Sequence, residues 1–204
     1  MELVNILITG GTGLIGSQLI KKLNTQGFET RVLTRTPKNA NEFKWDIKAQ
    51  TIDEKAFKDI DYIIHLDGAG IADKRWSSKR KQEIINSRID STNLLFQTIQ
   101  KLNTPLKGFV SASAIGYYGA ISSETIFNET DAPANDFLGT VCNQWEKSIF
   151  QLQSLNIPTT VLRTGIVLTK QGGALEKMKK PIIAPLGNGK QYIPWIHIED
   201  LCNL

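Results

Sequence analysis

At 204 residues, with 41% hydrophobic and 22% charged side chains, the chain has the composition of an ordinary folded domain, which excludes a disordered or collagen-like polypeptide. A net charge of +4 and a pI near 9.0 suit an anionic ligand but are too mild to argue for nucleic acid. No stretch approaches the roughly 18 apolar residues that span a bilayer, and Glu2 stands where a secretory leader would be basic.

The first strand, Leu3-Val-Asn-Ile-Leu-Ile-Thr9, runs straight into a glycine turn at Gly10-Gly-Thr-Gly-Leu-Ile-Gly16 and then into an amphipathic helix carrying Ile15, Leu19 and Leu23. A G-x-G-x-x-G match alone is a weak signal. Between a buried strand and a helix start, the spacing of Gly11, Gly13 and Gly16 lets the backbone approach a pyrophosphate, which the helix N-terminus attracts with free N–H groups and its positive dipole end. The alternative is a glycine-rich turn without a ligand. Gly27 ends the helix; Phe28 to Thr34, Glu42 to Asp46 and Asp61 to Leu66 read as the second, third and fourth strands, the last leading into Gly68 and Gly70.

A long helix follows from Ser78 to Leu102, with Ile85, Ile89, Thr92, Phe96 and Ile99 expected on one face. Lys79, Arg80 and Lys81 at its start could contact phosphates but read first as a solvated face. Gly108 to Ser113 is the fifth strand. Leu138, Val141, Trp145, Ile149 and Leu152 mark another helix over Leu138–Leu155, and Thr159 to Leu168 reads as the sixth strand. Pro181 to Gly189 is a Pro/Gly-rich loop, Tyr192 to Ile198 a short strand, and Asp200 lies near the start of a further helix that the sequence does not complete. Alternating strands and helices predict an α/β fold, a Rossmann-like doubly wound parallel sheet of strand order 3-2-1-4-5-6. Residues 1–170 would form the dinucleotide-binding domain and 171–204 the beginning of a substrate-binding region.

NAD-selective domains of this kind carry a carboxylate at the end of the second strand, for the ribose 2′-OH. Here Arg31-Val-Leu-Thr-Arg-Thr36 has none, and Arg35 can pair with a 2′-phosphate, so the expected cofactor is NADP, with NAD less favoured. Otherwise Arg35 is a surface arginine at an indifferent site. Asp46, after Trp45, either meets the adenine edge or caps the third strand.

The chain resembles the extended short-chain dehydrogenase/reductase superfamily and, within it, the atypical nucleoside-diphosphate-sugar epimerase-like proteins. The resemblance rests on Ile8 to Gly16, Gly68-Ala-Gly-Ile-Ala-Asp-Lys-Arg-Trp76, Ser87-Arg88, Ser111-Ala-Ser-Ala-Ile-Gly-Tyr-Tyr-Gly119, Trp145-Glu146, Arg163-Thr-Gly-Ile-Val-Leu168 and Trp195-Ile-His-Ile-Glu-Asp200, in the family's order. It implies that Gly10, Gly11, Thr12, Gly13, Leu14, Ile15 and Gly16, with Leu66 and Gly68, hold the dinucleotide, and that Arg163 and Thr164 line the nicotinamide side. Members are longer and continue into a C-terminal domain that closes over the substrate, which places the residues selecting it beyond Leu204. The Pro181–Lys190 loop is shorter than in relatives, and Asp67 stands where they carry a small residue.

Ordinary members of the superfamily use a serine and a Tyr-x-x-x-Lys pair. Ser113 matches the serine, expected to orient a carbonyl or hydroxyl, but Cys142 and Glu146 replace the pair. A glutamate four residues along the helix raises the pKa of the thiol, so Cys142 reads as a packed residue rather than a nucleophile. Tyr117 and Tyr118 are the candidate proton donors, or else packed rings, and Asp67 is a further candidate at the nicotinamide side. His65 and His197 read as hydrogen-bonded core residues.

Cys142 and Cys202 have no metal spacing and read as free thiols of a cytoplasmic protein, in which the glycosylation-type triplet at Asn128 is coincidental. No metal site and no hydrolase triad is expected. Two functions remain open: an NADP-dependent reductase or epimerase acting on a small molecule, a nucleotide sugar among the candidates, or a non-catalytic NADP sensor or scaffold. Neither nucleic acid nor membrane is an expected partner. The resemblance implies a homodimer face on the Ser78–Leu102 and Leu138–Leu155 helices.

Overall fold

A computed structural model describes residues 3–178 and 189–204. Its main sheet contains β1 (Asn5–Thr9), β2 (Glu29–Thr34), β3 (Glu42–Asp46), β4 (Thr51–Ile52), β5 (Tyr62–His65), β6 (Gly108–Ala114) and β7 (Thr159–Thr164), in the order β4-β3-β2-β1-β5-β6-β7. All neighbours are parallel except β3 and β4. Without β4 the order is the expected 3-2-1-4-5-6. The two-residue β4 is too short to leave a periodic signal; it follows a turn in which Asp46 Oδ1 accepts the N–H groups of Lys48 and Ala49 at 2.9 and 3.0 Å.

The central strands bury apolar side chains on both faces because helices cover the sheet on both sides. Leu7, Ile63 and Phe109 stand in register across β1, β5 and β6, all fully buried. The core that includes them also takes in Leu95 and Ile99 of α2 (Ser78–Leu102) and Trp145 and Ile149 of α3 (Phe137–Phe150). Each such side chain contributes about 1.5–3 kcal/mol by leaving water. Ser77 Oγ accepts the Arg80 N–H at 3.2 Å to cap α2, and Asp136 Oδ1 accepts that of Gly139 at 2.8 Å to cap α3. Helix α1 (Leu14–Thr25) has no side-chain cap.

Four expectations need correction. The fully buried side chains of α2 include Ile84, Ser91, Leu95 and Ile99, with Ile85, Ile89 and Phe96 only half-buried: the stripe is rotated because α2 packs on α3 as well as on the sheet. Arg80 is buried rather than solvated; it bonds the Gly70 carbonyl and pairs with Glu83 at 2.8 Å. The expected sixth strand breaks at Gly165, where a Cβ would lie 2.8 Å from the Pro194 oxygen. Beyond the break, β8 (Ile166–Thr169) leaves the main sheet and pairs with β9 (Trp195–His197). Finally, His197 is exposed, its Nδ1 accepting the Glu199 N–H at the start of α5 (Ile198–Leu201), whereas His65 is the expected core residue.

His65 Nδ1 lies 2.7 Å from Thr9 Oγ1, and its Nε2 lies 3.3 Å from the hydroxyls of Ser91 and Thr92, tying β1, β5 and α2 together. Most of the Pro181–Lys190 loop lies outside the described residues. Among those described, no helix is long and apolar enough to cross a membrane, and no side-chain cluster is suited to a metal.

Candidate functional site

The glycine turn after β1 is built so that side chains would fill it. Gly10 adopts φ +68°, and a Cβ there would stand 2.8 Å from the backbone carbon of Leu66. A Cβ on Gly16 would run into the Gly10 carbonyl oxygen and stand 2.6 Å from the Cα of Gly11. Neither obstacle is a movable side-chain end. The turn is closed by Gly13 donating its N–H to the Gly10 oxygen at 2.9 Å.

Helix α1 then starts at Leu14 with no side-chain cap and no acidic residue in its first turn. Its leading amides, those of Leu14 and Ile15 first, are thus a donor set without a side-chain acceptor, at the positive end of the helix dipole. Such a terminus is an anion site. A backbone cradle beside an uncapped helix fits a dinucleotide diphosphate.

Next to the turn lies a cavity of about 250 Å³, lined by Gly10 and Thr12, by Leu33 to Thr36 at the end of β2, and by Lys38, Trp45 and Asp67. Pockets of this size hold part of a ligand rather than a whole one. Arg35 is exposed here, and no hydrogen bond or ion pair ties its guanidinium to the described residues. Trp45, rather than Asp46, supplies the wall from β3, since the Asp46 carboxylate faces its own turn.

The Leu66 backbone lies behind Gly10, and its N–H reaches Thr9 Oγ1 at 3.1 Å. Gly68 lies against Arg88, where a Cβ would come within 3.2 Å of the guanidinium carbon. Arg88 donates to the carbonyls of Ala69 and Ile84 and stands over the Trp145 ring, 4.9 Å from its centroid.

Ser113, Tyr117, Tyr118, Arg163 and Thr164 gather elsewhere, at the far end of the sheet. Ser113 is buried and donates its hydroxyl to Glu146 Oε1 at 2.7 Å. Arg163 grips the same carboxylate with both arms, Nε to Oε1 and Nη2 to Oε2, each at 2.9 Å. Its Nη1 donates to Tyr118 Oη at 2.8 Å, and that hydroxyl donates to the Asn128 carbonyl at 2.9 Å. The Glu146 carboxylate holds the guanidinium firmly charged, well above the ordinary arginine range.

Tyr117 lies flat under Arg163, whose guanidinium is 3.5 Å from the ring centroid, and its hydroxyl bonds none of the described residues. The Thr164 hydroxyl donates back to the Leu162 carbonyl at 3.3 Å. Cys142 is buried beside this group; burial above all, with Glu146 adding to it, pushes its thiol up to about 11. A groove of about 760 Å³ runs here along β7, with Tyr118, Glu146, Arg163 and Thr164 in its wall. It shares no lining residue with the cavity beside Gly10.

The glycine turn, Arg35 and Leu66 are therefore brought together, while the candidate catalytic residues form a separate cluster. Sequence reasoning missed Thr34, Thr36, Lys38 and Trp45 as cavity walls, although Lys38 follows Arg35 closely enough to extend a basic rim. It also missed Glu146 as the partner of Arg163, a contact across 17 positions with no local signal.

Comparison with known proteins agrees with this architecture. Along 201 residues the chain is 34% identical to an epimerase family protein of Mycobacterium leprae, covering 96% of this chain and 64% of that one, so it spans just under two thirds of that relative's length. Among solved structures, the nucleoside-diphosphate sugar epimerase from Corynebacterium glutamicum superposes with a TM-score of 0.85 at 27% identity, over 99% of this chain and 42% of that one. A human epimerase family protein solved with NADPH superposes with a TM-score of 0.81 at 29% identity, over 98% of this chain and 68% of that one. The model of the NAD dependent epimerase/dehydratase family matches residues 6–138, from β1 through the glycine turn to the start of α3, and the chain belongs to that family.

Proposed function

We propose that the chain binds a nicotinamide dinucleotide, NADP in preference to NAD, and serves as a reductase or epimerase on a small molecule. The observation that carries this reading is the uncapped start of α1 beside a cavity whose rim offers an Arg35 unpaired among the described residues and, from Arg31 to Thr36 at the end of β2, no carboxylate. The NADPH in the human relative's structure supports the same choice. The amides of Leu14 and Ile15, with the backbone of Gly10 to Gly13, would hold the diphosphate, and Arg35 the 2′-phosphate. When bound, the nicotinamide supplies hydride exchange.

Of the two tyrosines, Tyr117 is the better proton donor, because the Tyr118 hydroxyl is already spent between Asn128 and Arg163. Ser113 orients a substrate only if its hydroxyl leaves Glu146; as it stands, it orders that carboxylate. The name of the Corynebacterium glutamicum protein makes a nucleoside-diphosphate sugar the first substrate class to try.

A second reading, an NADP-binding sensor without turnover, draws support from the same cluster, since Ser113 is committed and Cys142 is a poor thiolate. The test is NADPH oxidation at 340 nm against a panel of nucleotide sugars and carbonyl compounds, with native chain and Tyr117→Phe. Turnover that falls at least about tenfold in the variant, at unchanged NADPH affinity, supports the enzyme and the role of Tyr117. Tight NADPH binding with no turnover favours the sensor, and absence of binding overturns both.

A further inference from the structure

Asp67 is a carboxylate inside the dinucleotide cavity that the proposed function leaves without a role. It lies two residues beyond the end of β5, and its N–H is anchored on Thr9 Oγ1 at 3.3 Å, which fixes the backbone beside Gly10. Its side chain lines the same 250 Å³ cavity as Arg35, Thr12 and Lys38, is half-buried, and accepts no hydrogen bond from the described residues. Burial pushes its carboxyl upward, while Arg35 from the β2 end and Arg88 from α2 pull it back, so it feels both cations without being paired to either. A group held in this way, close to the rim where Arg35 stands, adds its charge to whatever enters.

We propose that Asp67 is a second selector of the dinucleotide: its carboxylate opposes the 2′-phosphate that Arg35 attracts and so caps the preference for NADPH over NADH. The proposal rests on the NADP reading. The two side chains follow different strands, β2 and β5, on opposite sides of β1, so each can be changed without disturbing the other's backbone. A 2′-phosphate brings close to two negative charges into a cavity that already holds one, whereas NADH brings a neutral hydroxyl to the same place. At the 2′-position the attraction to Arg35 and the repulsion from Asp67 therefore partly cancel for NADPH, whereas NADH presents there no charge for either to act on and shares with NADPH only the diphosphate.

The experiment is a pair of titrations, NADPH and NADH, at pH 8 and low ionic strength, read by tryptophan-to-nicotinamide energy transfer for native chain, Asp67→Asn, Asp67→Ala and Arg35→Ala. Asparagine keeps the shape and removes the charge, and alanine guards against an asparagine that makes a new contact. The expected result is NADPH binding about fivefold tighter in both Asp67 variants, with NADH changed by less than about twofold, and a gain that shrinks as salt is raised.

Equal weakening of both dinucleotides would overturn the proposal and make Asp67 a common ribose contact. A ratio that rises only because NADH weakens would overturn it too, making Asp67 an acceptor for the 2′-hydroxyl. No change in either variant would also overturn it. Arg35→Ala separates the two levels. If it weakens NADPH selectively while the Asp67 variants do nothing, the selector role fails and the cofactor reading stands; if the native chain shows no preference for NADPH and Arg35→Ala changes nothing, the reading itself fails, and the inference with it.

Discussion

Arg35 follows β2 and Arg163 ends β7, two parallel strands of one sheet, yet the chain treats the two guanidinium groups in opposite ways. Arg163 is bound by both oxygens of Glu146, by Tyr118 and by the Glu129 carbonyl, and its face is covered by Tyr117. Arg35 bonds nothing among the described residues and stands at the mouth of a cavity. The same contrast runs through their surroundings: an uncapped helix start and an unpaired Asp67 on one side, a closed relay of Ser113, Glu146, Arg163 and Tyr118 on the other. A cation that holds a fold together is saturated from within; one reserved for a ligand is left unsaturated. By that criterion the proposed anion site belongs at the β1–β2 end and rigidity at the β7 end, where the Tyr117 hydroxyl bonds none of the described residues.

The sharpest way to break this comparison is at the glycine turn. Gly16→Val places a branched side chain on the Gly10 carbonyl and should cut NADPH affinity by more than about a hundredfold, as read by fluorescence titration, while circular dichroism shows the helices retained. A valine variant that still binds would mean the turn is not the cradle.

At the other end, Glu146→Gln strips Arg163 of its counter-charge and should lower stability by about 3 kcal/mol in urea unfolding, yet leave NADPH affinity within about twofold. Loss of binding at unchanged stability would reverse the roles assigned to the two regions.

His65 lies between the two regions and gives a pH signature. Burial, with Arg88 adding to it, pushes its pKa down to about 3 from the usual 6.5, so the folded chain keeps it neutral where the unfolded chain takes up a proton. Stability is then full above pH 6.5 and declines as the pH falls towards 3, by about 2 kcal/mol between pH 7 and pH 5 from this group. In His65→Gln that part of the slope should vanish from urea midpoints measured against pH.

The smallest effect is expected at Cys142. Its thiol, pushed up to about 11, should react with iodoacetamide at pH 8 at least about tenfold more slowly in the folded than in the unfolded chain. Cys142→Ala should leave NADPH affinity unchanged; a fast-reacting thiol would instead give the β7 cluster a nucleophile.

The two regions also differ in how far they could be read in advance. The turn at Gly10 to Gly16 was legible because it is local: strand, turn and helix start are contiguous in the sequence. The sheet order followed from the same local alternation. The Ser113–Glu146–Arg163 relay was not legible, since its members come from β6, α3 and β7 and meet only through packing. The break at Gly165 was hidden for a related reason: Thr159 to Leu168 is one run rich in β-branched residues, and what divides it is the approach of Pro194 from far along the chain. The buried stripe of α2 was misplaced because two surfaces, the sheet and α3, compete for one helix, and a single-face reading averages them.

The measurement that bears most directly on the central claim is the titration of the native chain and Arg35→Ala with NADPH and NADH, following energy transfer from tryptophan to the nicotinamide. Trp45 in the cavity wall is one of the donors. The unsaturated-cation account predicts tighter binding of NADPH than of NADH, and a loss of about tenfold or more for NADPH alone when Arg35 is removed. Equal affinity for the two dinucleotides in both proteins, or no binding of either, would contradict it.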